Sequence, residues 1–200
     1  MSLIPFSPKP VRSLPSLEDF LDELRVPEDA VICGMCDDGL PWAVGIDDMP
    51  LPTVLIEGGR SILETIARSV NLLGVRRVET VVLSNDWSLP GKIVSPFYSS
   101  STDDILHSLA SWAHGNYGRK RELVLVDGME RIFDLDFDTR QNLRWLLIQG
   151  IRRGVCVIAS YGKMTHDIHV WLDAFKVRVR REGDHWVVPE AKRETRVYAL

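Results

Sequence analysis

Apolar residues along this chain fall into two kinds of run. In one kind they are continuous, short and bounded by Gly, Asp or Ser: TVLIEG (53–58), ETVVLS (79–84), ELVLVDG (122–128) and VCVIAS (155–160). Runs of that form suit strands buried on both faces. KIVSPFY (92–98) is a weaker candidate of the same kind. In the other kind they recur at helical spacing. Leu17, Phe20, Leu21 and Leu24 do so in SLEDFLDELRV, with Ser16 as N-cap. TDDILHSLASWAHG is apolar at 105, 106, 109, 110, 112 and 113, and Gly115 is placed to close it. DTRQNLRWLLIQGIRRG offers an Asp138–Gln141 capping box, with Gly154 past its end. RSILETIARSVNLL follows TVLIEG, and its Ser61 and Glu64 have the S-x-x-E form of a capping box.

Around this alternation stand other elements. AVICGMCDDGLPWAVGI reads as a β-hairpin about Asp37-Asp38-Gly39. MTHDIHVWLDAF predicts a short helix, FKVRVRR a strand with alternating charges, and HWVVP a strand to pair with it. Pro5, Pro8, Pro10 and Pro15 mark the first stretch as an extended arm. Strands alternating with helices predict an α/β fold, a mostly parallel sheet covered by helices on both faces with an N-terminal hairpin beside it. We divide the chain into an arm and short helix (residues 1–30) and a single domain (31–200). No internal repeat interrupts that division.

Length and charge narrow the class. A chain of 200 residues can bury one sizeable core. A net charge of −4 argues against a protein that coats nucleic acid over its whole surface. No run approaches the roughly 18 apolar residues of a membrane span, and the N-terminus has no signal-peptide pattern, so a cytoplasmic setting is expected. Three cysteines suit reduced thiols. Cys33 and Cys36 have zinc-like spacing and His166 and His169 lie three apart, but they do not combine into an evident four-ligand set, so no metal is expected. Basic residues gather locally, and in KVRVRR the alternation puts Lys176, Arg178 and Arg180 on one face of a strand, where they could meet nucleic acid or discourage edge-to-edge pairing. Trp87 is the aromatic most expected at the surface, whereas Trp112 and Trp145 read as core.

The order of these pieces resembles a known family. GMCDDGLPWAVGIDDMPLPTVLIEGG resembles the lead-in to the motor domain of FtsK/SpoIIIE and HerA-type ATPases. RELVLVDGMERI resembles the segment carrying their magnesium-side aspartate, and LLIQGIRRGVCVIASYGKMTHDIHVWLDAFKVRVRREG resembles their closing part. The resemblance spans roughly residues 31–189 and implies a RecA-like fold of the P-loop NTPase type, assembly into rings, and ATP-driven movement of DNA or protein. It also implies a nucleotide site at Gly58, Gly59, Arg60 and Ser61, a magnesium-side acid at Asp127, and an inter-subunit arginine at Arg152 or Arg153. Ser160 and Tyr161 fall where the family has a polar pair near the phosphate.

This chain departs from the family pattern twice. A phosphate loop has the form G-x-x-x-x-G-K-[ST], and with Gly58 as its first glycine the four spacers are missing and Arg60 replaces the lysine. After Asp127 the adjacent acid is replaced by Gly128, and Glu130 lies two positions further on. The expectation is a degenerate, non-hydrolysing ATPase-fold module that needs no cofactor and acts through a protein partner or self-assembly. The alternatives are an active translocase-type ATPase using ATP and magnesium at an unusual site, and a nucleotide-independent accessory protein bound to DNA.

Overall fold

A computed structural model describes residues 14–23, 30–45, 53–73, 78–82, 93–94, 99–116, 122–189 and 194–200. In chain order the elements are α1 (Leu17–Glu23), β1 (Ala30–Cys36), β2 (Pro41–Gly45), β3 (Thr53–Glu57), α2 (Arg60–Leu73), β4 (Val78–Val82), β5 (Ile93–Val94), α3 (Ser99–Asn116) and β6 (Glu122–Asp127). They continue with α4 (Phe137–Ile148), β7 (Val155–Tyr161), α5 (His166–His169), β8 (Val177–Glu182), β9 (His185–Pro189) and β10 (Glu194–Tyr198), with a 3-10 helix at Met129–Asp134 between β6 and α4.

The ten strands among the described residues form one sheet in the order β2-β1-β10-β9-β8-β3-β7-β6-β4-β5. From β8 to β5 every neighbouring pair is parallel. From β2 to β8 every pair is antiparallel. The α/β fold with a parallel core and an N-terminal hairpin is therefore present. The antiparallel wing is larger than the sequence suggested, because β10 enters between β1 and β9 and joins the hairpin to the rest.

Helices cover both faces, and the strands sort their side chains accordingly. On one face Val54, Ile56, Leu125 and Ile158 pack against Ile62, Leu63 and Ile66 of α2. On the other, Leu55, Val124, Val126 and Val157 pack against Leu106 and Leu109 of α3 and Leu143 and Leu146 of α4. Successive residues of β3 and β6 thus face opposite cores, which is why these strands read as unbroken apolar runs. Helix α1 buries Leu17 and Phe20 against Ile32 of β1, with Leu200 at the edge of the same cluster. Thr65 of α2 donates its hydroxyl to the Leu200 carbonyl oxygen at 2.8 Å, so α2 also anchors the segment after β10.

Three helix boundaries differ from expectation. Helix α4 is capped by Asp136, whose carboxylate accepts from the Thr139 N–H at 2.8 Å, rather than by Asp138 with Gln141. Either aspartate is a competent cap, and Asp136 is the one whose two oxygens are met by the N–H and the hydroxyl of Thr139. Helix α3 continues through Gly115 to Asn116. Helix α2 begins at Arg60, so Ser61 lies inside its first turn, and Glu64 approaches Arg60 instead of reaching back to a cap. Trp112 and Trp145 are partly buried against the second core, while Trp87, the Pro-rich arm to residue 13, the 46–52 segment and the 118–121 basic cluster lie outside the described residues.

Gly34 sits at an irregularity in the β1–β2 register, and a Cβ there would lie 2.4 Å from the Tyr198 carbonyl oxygen and 2.8 Å from Val197 Cγ1. The obstruction is backbone, which cannot swing aside. Gly34→Ala is expected to lower unfolding stability by about 1–3 kcal/mol, read from urea denaturation, whereas Gly39→Ala, with open space around it, costs only its left-handed φ.

Candidate functional site

Parallel strands with helical crossovers bring the C-terminal ends of β3, β6 and β7 to one edge of the sheet. The register sets Glu57 beside Tyr161 and Val126 beside Ala159, so Gly58, Asp127 and Ser160 meet at that edge. They border a cleft of about 150 Å³.

The connection from β3 to α2 consists of Gly58 and Gly59 alone. Gly58 has φ of 56°, in the left-handed region, and its N–H donates to the Tyr161 carbonyl oxygen at 2.7 Å. A Cβ at Gly59 would lie 2.3 Å from Ile56 Cγ2, so helix and strand are too close for any side chain there. The Gly59 carbonyl oxygen accepts from Leu63 N–H and opens the helix.

Arg60 is the first residue of α2 and projects into the cleft. Its Nε lies 3.9 Å from Asp127 Oδ2 and 3.8 Å from Glu64 Oε1. Asp127 is 4 % exposed, and its other oxygen accepts a short hydrogen bond from the Ser160 hydroxyl. A buried carboxylate needs such partners to offset lost hydration. Gly128 then turns the chain with φ of 86° into the 3-10 helix. From that helix Glu130 reaches back and accepts from the Gly162 N–H at 3.0 Å. Tyr161 is buried, and burial, followed by the nearby Glu57 charge, pushes its phenol above the ordinary tyrosine range, so it stays neutral.

The structure thus gathers Gly58, Gly59, Arg60, Asp127, Glu130, Ser160 and Tyr161 at one place. Ser61 does not line the cleft. Arg152 and Arg153 precede β7, at the opposite end of the strand from Ser160, and are not brought to the cleft. Lys176, Arg178 and Arg180 are exposed, and β8 is flanked on both sides rather than being an edge. Arg178 pairs with Asp173 at 3.2 Å and Arg180 with Glu194 at 2.8 Å. Cys33, Cys36 and Cys156 are all buried; burial pushes the Cys156 thiol up to about 12 and raises Cys33 as well. Among the described residues no three His, Cys, Asp or Glu side chains are grouped to hold a metal.

Two residues that sequence reading did not connect to this place enclose the turn from its far side. Arg181 of β8 lies against Gly58, where a Cβ would come within 2.9 Å of its Cδ, and its guanidinium sits over the Trp186 ring. Trp186 of β9 donates its indole N–H to the Glu57 carbonyl oxygen at 2.8 Å. The β8–β9 pairing is the one expected from FKVRVRR and HWVVP, but both residues reach the turn only because β8 also pairs with β3, far back in the chain, and no local pattern carries that pairing.

A parallel core ending in this crevice, with α2 leaving β3 at its rim, is the RecA-like fold of FtsK-type ATPase domains. Solved structures agree. The cytoplasmic domain of the Thermomonospora curvata type VII secretion ATPase EccC matches 91% of the chain at 12% identity and a TM-score of 0.63. The pCW3 conjugation coupling protein TcpA, in its monomer form with ATPγS, matches 87% at 13% identity and 0.61. The cytoplasmic domain of EssC matches 96% at 14% identity and 0.64. The chain spans 30%, 66% and 48% of those three proteins, and the likeness is one of fold. No protein-family model and no curated protein matches the chain. No helix among the described residues is long and apolar enough to cross a membrane.

Arg60 is the basic side chain that faces buried Asp127 across the cleft, whereas its contact with Glu64 is at the surface. Arg60→Gln is expected to cost about 1–2 kcal/mol in urea unfolding and Glu64→Gln less than about 0.5 kcal/mol. Equal small losses would show that the cleft pair contributes no more than a surface contact.

Proposed function

We propose that this chain is an FtsK-type ATPase-fold module that does not hydrolyse ATP and acts through contact with protein. The observation that carries this reading is the two-residue passage from β3 to α2, with Arg60 directed at Asp127. A magnesium-bound triphosphate needs backbone N–H groups turned inward, a lysine for the outer phosphates, a hydroxyl on the metal and a free acid beside it. Here the Gly58 N–H is spent on Tyr161, and Ser61 is away from the cleft. One oxygen of Asp127 is held by Ser160 and the other faces Arg60. The cleft, at about 150 Å³, is half the roughly 300 Å³ at which small-molecule sites begin. The residues present do not fit the nucleotide or its metal, and the alternative of an active translocase draws no support from this geometry.

Protein contact is favoured over DNA because the chain is acidic overall and two of the three basic side chains on β8 already have carboxylate partners. The fold and the buried thiols suit a cytoplasmic setting, as in the domains it resembles.

Thermal unfolding with and without millimolar Mg-ATP or Mg-ADP tests the reading. A ligand bound only to the folded state adds about 2.7 kcal/mol at a hundred times its Kd, several degrees for a chain of this size. The expected outcome is an unchanged midpoint. A rise of several degrees with either nucleotide overturns the proposal.

A further inference from the structure

Helix α4 has two faces that differ in kind. Thr139, Leu143, Leu146 and Leu147 are buried in the second core. Opposite them, Phe137, Gln141, Arg144 and Ile148 form an exposed stripe at spacings of four, three and four. Phe137 is 64% exposed and Ile148 45%. These two large apolar side chains are the first and last residues of the helix, about 16 Å apart at 1.5 Å per residue.

Charge along the same face is also divided. Helices α3 and α4 run side by side in the same direction, since residues from their first halves share one hollow and residues from their second halves share another. The first hollow, about 290 Å³, is bordered by three carboxylates, Asp104, Asp136 and Asp138, with His107 among them. The second, about 420 Å³, is bordered by Arg144, His114 and Trp145, with no carboxylate in its lining; its positive charge is that of Arg144, whose guanidinium lies over the Trp171 ring, 5.7 Å from the centroid. His114 is stacked on Trp145 with ring centroids 4.0 Å apart. Asn142 borders both hollows and marks the middle.

A surface acidic at one end, cationic at the other, and apolar at two points equidistant from its centre is complementary to itself when rotated by a half-turn. From this we infer that the α3–α4 face pairs with the same face of a second copy of this chain, about a two-fold axis near Asn142. The two α4 helices lie antiparallel. Phe137 of each copy packs against Ile148 of the other, and Arg144 of each meets Gln141 and, one turn on, Asp138 of the other. The carboxylate end of each groove covers the cationic end of its mate. A two-fold contact of this kind is isologous and closes at two copies. Two helices from each chain give a four-helix contact at the lower end of interface sizes, so the dimer forms and separates with concentration. The inference does not depend on whether the cleft binds nucleotide.

Sedimentation velocity of the full chain at low salt, from about 1 to about 100 µM, reads this directly, since a weak contact populates across that range. The expected result is a shift from monomer to dimer that fades at high salt. Phe137→Asp is expected to leave only monomer; an acidic residue in the first helical turn suits the helix dipole, so the fold should persist. Arg144→Glu and Asp138→Lys are each expected to weaken the dimer at least tenfold, and the double variant to recover part of the loss. Gln141→Cys provides a second readout: oxidation should give a disulfide-linked dimer, the native cysteines being buried. A monomer at every concentration together with no cross-link, a dimer indifferent to Phe137→Asp and Arg144→Glu, or assembly into a larger ring would each overturn it.

Discussion

Strand β3 and helix α2 are joined by so little chain that the first helical side chain has one place to go. With Gly59 pressed onto Ile56, α2 starts directly at the end of the strand, and Arg60 enters the crevice where β6 and β7 also end. Much of the local structure answers to that constraint. Asp127 can be buried because Arg60 and Ser160 face it. Gly58 can turn because its N–H finds Tyr161 and its open side is filled by Arg181. A longer loop would move the helix away from the strand and leave Asp127 to solvent or to a ligand. The absence of Cβ atoms at two adjacent positions thus fixes the position of a helix, the burial of a charge and the size of a cleft together.

The antiparallel wing closes the same region from the other side. Strand β9 brings Trp186 over the end of β3, and β10 carries the chain back to Leu200 on α2. Strand β8 belongs to both halves, parallel to β3 and antiparallel to β9, so the turn is held between a parallel core and an antiparallel flank. Of the two large apolar cores, the one under α2 reaches from the parallel strands into the wing through Trp186, Val188 and Val197.

How much of this the sequence discloses depends on the range of each interaction. Strands β3, β6 and β7 are plain from their apolar runs, because a strand covered on both faces leaves no polar alternation. The meeting of Gly58, Asp127 and Ser160 follows from their places at the ends of those strands. The cap of α4 lies two residues before the expected one, since Asp136 and Asp138 are equally good caps by residue type and only the contacts of Asp136 with Thr139 separate them. Strand β10 gives little signal because ETRVY is short and charged at alternate positions, and one of its two partners, β1, lies far back in the chain. Nor does the sequence set Arg181 and Trp186 beside Gly58, since that depends on the register of β8 against β3, and one step would send Arg181 to the other face of the sheet.

In an ATPase a crevice at the strand ends serves as a joint, because ligand binding and release alter the contacts across it. In this chain the corresponding crevice is spanned by its own groups. Gly58 to Tyr161 links β3 to β7, Arg60 to Asp127 links α2 to β6, Ser160 to Asp127 links β7 to β6, and Glu130 to Gly162 ties in the segments that follow. On the proposed reading those links are present whatever the nucleotide supply, and the elements they join keep one arrangement. Helices α3 and α4 rest on the strands so fixed, through Leu106, Leu109, Leu143 and Leu146. A surface carried on a sheet with one position suits recognition of a constant partner better than transmission of a stroke, which is the physical ground for reading the fold as a docking module rather than a motor.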